Sequence, residues 1–75
     1  MPNLRPVSGA ETIRALERLG FRQVRQRGSH VVLRKDTPEG PVGCSVPLHK
    51  ELKIGTLRGI LRLAKIDPQD FLEKL

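Results

Sequence analysis

The chain holds two histidines, His30 and His49. The first lies in "RQRGSHVVLRK", residues 25–35, behind Gly28 and Ser29 and among Arg25, Arg27, Arg34 and Lys35. An imidazole titrates near neutrality, so it can take or give a proton at a reacting centre. Guanidinium groups beside it suit a phosphate, which they hold through paired, charge-assisted hydrogen bonds. These types together point to acid–base chemistry on a phosphodiester. RNA carries its own nucleophile. Its 2′-OH must lose a proton, the charge on the five-coordinate phosphorus must be held, and the departing 5′-oxygen must be protonated. His30 is the candidate for proton transfer and Arg25 for the phosphate, with Arg27 and Arg34 extending the cationic track. Gly28 lets backbone come close to a phosphate, and Ser29 can donate to it. His49, in "PLHKELK", is either a second proton-transfer group or an ordinary loop residue. Taken alone, His30 reads more readily as a polar residue on a solvated strand, so its surroundings must decide.

Those surroundings are legible as elements. Ser8 and Glu11 have the S-x-x-E spacing of a capping box, which starts a helix, and Ile13, Leu16 and Leu19 give that helix an apolar stripe. Gly20 is placed to end it, with Phe21 reaching back to Leu16 across the cap. Two strands follow, with Arg27-Gly28 expected as a two-residue turn. That turn sets Val24 opposite Val31 and Arg25 opposite His30. Val24, Val31 and Leu33 then face a core, while Gln23, Arg25, His30, Val32 and Arg34 face the other way. Residues 35–41, "KDTPEGP", read as a turn-rich loop. Val42, Cys44 and Val46 alternate as a third strand. A connection follows. From Ile54 a helical pattern runs through Leu57, Leu61 and Ala64, flanked by Ile60 and Leu63. Asp67-Pro68 opens a short last helix with Asp70 in its first turn, and Phe71 and Leu72 fold back on the core. The expected fold class is a two-layer α+β domain, a three-stranded antiparallel sheet with helices on one face, in the order α-β-β-β-α plus a short C-terminal helix. That order is the one found in double-stranded-RNA-binding folds.

The totals narrow the function classes. Seventy-five residues make one domain, spanning 1–75 with residues 1–7 expected as a loose lead-in. A chain this short buries only about 60–65% of its unfolded surface, which leaves no room for a deep cavity and a cofactor fold together. A formal charge of +6 and a pI near 10.5 point to a polyanionic partner. No apolar run suits a membrane span. The single cysteine rules out an internal disulfide framework and fits a reducing cytoplasm. No Cys/His cluster has zinc spacing, so no metal and no cofactor are expected. With two Phe and neither Tyr nor Trp, the chain lacks the aromatic platforms of single-strand readers. Contacts to phosphate and 2′-OH fit better than base reading.

The segments "LGFRQVRQRGSHVVLRK" and "VPLHKELKIGTLRGILRLAKIDPQDFLEKL" resemble the HicA family of bacterial and archaeal toxins. The resemblance rests on G-F, a basic strand, G-S-H, a strand ending in P-x-H, and G-T-L-R-x-I-L-R, in that order, and it covers residues 8–75. It implies a double-stranded-RNA-binding-like fold and an mRNA interferase, an endoribonuclease that cuts single-stranded or structured mRNA without a metal. It also implies a cytoplasmic protein neutralised by a cognate HicB-type antitoxin. By the same resemblance the catalytic histidine is His30, with a family histidine at His49 as well. Arg58 and Arg62 lie in the last motif and suit contact with RNA or an acidic partner. Two other readings share the composition: a non-catalytic RNA-binding module, and a subunit whose basic face exists only to bind an acidic protein.

Overall fold

The computed structural model describes residues 4–75. Its elements run α1 (Gly9–Arg18), β1 (Arg22–Arg27), β2 (His30–Thr37), β3 (Gly40–Pro47), α2 (Ile54–Ala64) and α3 (Pro68–Glu73). The strands form one antiparallel sheet in the order β1-β2-β3. Helices cover one face of it, as the pattern of elements predicts.

Local chemistry sets the helix ends. The Glu11 N–H donates to Ser8 Oγ at 3.0 Å and the Ser8 N–H donates to Glu11 Oε1 at 2.9 Å, so the capping box closes from both sides. At the other end the Gly20 N–H reaches Glu17 O and the Phe21 N–H reaches Leu16 O, both at 3.0 Å. This is a Schellman cap, and Phe21 and Leu16 join the same buried cluster beneath it. Lys35 Nζ donates to Leu19 O at 2.8 Å, placing a cation where the helix dipole is negative. Asp67 caps α3 through Gln69 N–H at 2.8 Å, with Pro68 at its first position.

The core lies between the helices and the sheet. Val31 and Leu33 of β2 meet Cys44 and Val46 of β3 under Ile13, Leu16, Phe21, Leu52, Ile60 and Ala64. Cys44 is a small core residue, and burial pushes its thiol up to about 11. A second cluster joins Val7, Ala15, Leu57, Leu61 and Phe71. Phe71 folds back as expected, whereas Leu72 is half-buried and Leu63 stays 65% exposed.

Part of the expected lead-in, residues 1–3, lies outside the described residues. Val7, however, is 2% exposed, and its carbonyl accepts the Leu52 N–H at 2.7 Å. It is an apolar residue one step before a helix cap, and it staples the chain to the core. Residues 35–41 are not a loop. β2 runs on to Thr37, β3 begins at Gly40, and the turn is Pro38-Glu39 alone, with Thr37 opposite Gly40. The density of Pro and Gly marks a turn correctly but overstates its length.

The first hairpin also turns one residue later than expected, at Gly28-Ser29, with Arg27 opposite His30. Only Gly28 of the two has positive φ, at +55°. Glycine at the first central position alone is the pattern of a II′ turn, which twists with the flanking strands. A bulge between Gln23 and Arg25 then shifts the register, leaving Gln23 opposite Leu33. Val24, expected in the core, is instead 47% exposed. Gln23, expected on the open face, pairs with core-facing Leu33.

Candidate nucleic-acid interface

The sheet face away from the helices is open. Strand alternation and register place Arg22, Arg25 and Arg27 of β1 on it, beside His30, Val32, Arg34 and Asp36 of β2. Pro41, Gly43 and Ser45 of β3 complete it, while Pro47, paired with His30 at the end of the strand, is buried. The β3 third of the face thus carries small side chains, and the cations concentrate on β1 and β2. The result is a flat shelf with a basic stripe, suited to an extended polyanion and not to a small enclosed ligand.

His30 is exposed at the first position of β2, next to the Gly28-Ser29 turn. It stands between Arg27 on one side and Pro47 on the other. Arg25, expected directly across from it, pairs instead with Val32, one step further along the same face. Between the turn and Arg25 the register differs from the expected one by two residues on β1, and a shift of two keeps a side chain on its face. Beyond the bulge the difference is one residue, which is why Val24 and Gln23 exchange faces. His30, Val32 and Arg34 therefore point outward as expected, and so does Arg25. Gly28 and Ser29 form the turn itself, and Gln26 Nε2 donates to Gly28 O at 3.0 Å, bracing it.

His49 lies past the end of β3 and is exposed. Its segment is strapped from three sides. The Leu48 N–H donates to Ser29 O at 2.7 Å, the Gly9 N–H donates to His49 O at 2.9 Å, and the Leu52 N–H donates to Val7 O at 2.7 Å. Gly9 has no room for a side chain there, because a Cβ would overlap the Pro47 carbonyl oxygen. His30 and His49 thus share one end of the molecule, with the chain between Pro47 and His49 fixed against the His30 turn. Nothing in "PLHKELK" signals these straps, since all of them are backbone bonds to remote residues.

Two face residues are not foreseen from the sequence. Arg22 sits opposite Arg34, and Asp36 extends the His30, Val32, Arg34 alternation by one step. Asp36 Oδ2 lies 3.6 Å from Arg22 Nη1 and its Oδ1 lies 3.6 Å from Arg34 Nε. Arg34 is on the face as expected, but against a carboxylate. The alternation alone points to Asp36 once "KDTPEGP" is treated as a continuing strand. Arg58 and Arg62 are exposed on α2, in the helical layer and away from this face.

Among the described residues no group of three or more His, Cys, Asp or Glu side chains is placed to hold a metal ion. No helix among them is long and apolar enough to cross a membrane. The model of the family described as HicA toxin of bacterial toxin-antitoxin matches residues 9–66, from the start of α1 to just beyond α2. No curated protein matches the chain.

Proposed function

Since the chain belongs to the HicA family of bacterial toxin–antitoxin toxins, we propose that it is an endoribonuclease acting on mRNA in the cytoplasm, held in check by a cognate HicB-type antitoxin. The observation that carries this reading is the open sheet face, with an exposed imidazole, His30, set directly across from Arg27 and on the same face as Arg25.

In this reading RNA lies along the basic stripe with one phosphate between the Arg25–Arg27 side and His30. A base removes the 2′-OH proton, and the 2′-oxygen attacks the adjacent phosphorus. Negative charge builds on the phosphoryl oxygens, and the guanidinium of Arg27 meets it through charge-assisted hydrogen bonds. The bond from phosphorus to the 5′-oxygen breaks and that oxygen takes a proton, leaving a 2′,3′-cyclic phosphate and a free 5′-OH. His30 serves one of the two proton transfers. His49 is proposed for the other, its backbone fixed near the His30 turn. Gly28 and Ser29 offer backbone and hydroxyl contacts to the neighbouring phosphate. The substrate supplies the nucleophile, so the scheme needs no metal ion. The antitoxin is proposed to cover the same face, where a basic stripe invites an acidic surface.

The experiment is incubation of the purified protein with a long RNA, with and without EDTA and with and without the co-expressed antitoxin. The reading expects shortened RNA in both EDTA arms, ends bearing cyclic phosphate, and no cutting in the antitoxin complex. RNA that is retarded in a gel but never shortened would instead identify a non-catalytic RNA-binding module.

A further inference from the structure

Asp36 is the sole acidic side chain on the open sheet face among the described residues. Its two carboxylate oxygens are divided between two guanidinium groups, those of Arg22 and Arg34, each at 3.6 Å. At that length these are charge contacts and not hydrogen bonds. All three side chains are more than half exposed, so the effect of the cluster is on the electrostatics of the face and not on the fold. At the opposite end of β2, Arg25 and Arg27 form no ion pair among the described residues and stand beside His30. Asp36 is six positions from His30 along one strand, roughly 20 Å at ordinary strand rise.

The face is therefore electrostatically divided. One end presents two unpaired guanidinium groups and the imidazole. The other presents two guanidinium groups already facing a carboxylate. A phosphate arriving there must displace Asp36 from both partners and then sit beside its charge. We propose that Asp36 ends the RNA track, limiting backbone contacts to the Arg25–Arg27 end and so holding the bound phosphates at His30. Asp36 is then a specificity-determining residue, not a catalytic one. It sets how much RNA the protein touches and suppresses binding in registers that leave His30 empty. The inference rests on the reading of this face as an RNA site.

The test uses a single-stranded 2′-O-methyl RNA oligonucleotide, which lacks the nucleophile and survives contact with the active protein. Its affinity is measured over a salt series for the wild type, for Asp36→Asn, and for Glu17→Gln. Glu17→Gln removes the same charge from exposed α1, in the helical layer. Two phosphate contacts give a slope of log affinity against log salt of about −1.4, and four give about −2.8. The wild type is expected near the first value and Asp36→Asn near the second, with affinity up by about tenfold at 0.1 M salt. Glu17→Gln should follow the wild type. A wild-type slope already near the steeper value, or an Asp36→Asn slope parallel to wild type, overturns the role of Asp36 and leaves the RNA reading standing. An equal gain in Glu17→Gln also overturns it, since only net charge would then matter. A wild-type protein that fails to bind at any salt concentration brings down the RNA reading itself and the inference with it.

Discussion

At the scale of single residues, His30 has one guanidinium, Arg27, directly across the strand pair and another, Arg25, two positions further along that partner strand. Direct cross-strand neighbours have Cβ atoms about 5 Å apart and diagonal ones about 7–8 Å apart. Charge developing at a phosphate beside His30 should therefore depend more on Arg27 than on Arg25. Arg27→Ala is expected to lower kcat by on the order of a hundredfold, in the range of a lost transition-state donor, while Arg25→Ala chiefly raises KM. Steady-state cleavage of one defined RNA measures both, and equal effects on kcat would argue that the two arginines only gather RNA. The outward placement of His30 is legible in the sequence, because face assignment depends on parity, and parity survives a two-residue slip. The cross-strand partner of His30 is not legible there. It depends on whether Gly28 takes the first or second place in the turn and on a bulge at Val24, and a valine among charged residues carries no mark of a bulge.

At the scale of elements, the start of α1 carries a separate, pH-dependent prediction. Hydrogen bonds from the Ser8 backbone N–H, then from its hydroxyl, hold the Glu11 carboxyl below its ordinary value, with smaller help from Arg5 and Arg14. The folded state thus favours ionised Glu11. Its contribution is present above the ordinary glutamate range and fades as pH falls through the lowered value. Glu11→Ala should melt below the wild type near neutrality, with the gap narrowing under acid. A gap constant with pH would contradict the capping account. Ser8→Ala should cost about 1 kcal/mol at neutral pH, or a Tm loss of roughly 4–8 °C for a domain of this size. Such ends are legible because a cap is settled locally, between residues three apart. The strand ends are less so, since "KDTPEGP" folds according to pairing with a distant partner and not its own composition. Both sheet edges are blunted against further strand pairing. β1 has its bulge and three arginines, and β3 carries Pro41 and Pro47, which lack an N–H to donate.

At the scale of the whole molecule, the two layers divide the labour. The helical layer and inner sheet face hold the core, and even the N-terminal Val7 is drawn into it. The outer sheet face holds the basic stripe and His30, none of which belongs to either core cluster. The net charge of +6 points to a polyanion, but not to the occupation of one end of the stripe by Asp36, because that depends on the sheet register. Separation of layers means that chemistry can be removed without disturbing the fold, and His30→Ala exploits this most directly. The variant and the wild type should be compared for melting temperature, affinity for uncleavable 2′-O-methyl RNA, and rate of cleavage of ordinary RNA. The account predicts a stability change within about 0.5 kcal/mol, as for an exposed substitution, and little loss of affinity, since Arg25 and Arg27 remain. It predicts a fall in cleavage rate of about a hundred- to ten-thousand-fold, the usual cost of losing a general acid or base. A His30→Ala protein that cuts RNA at the wild-type rate would contradict it.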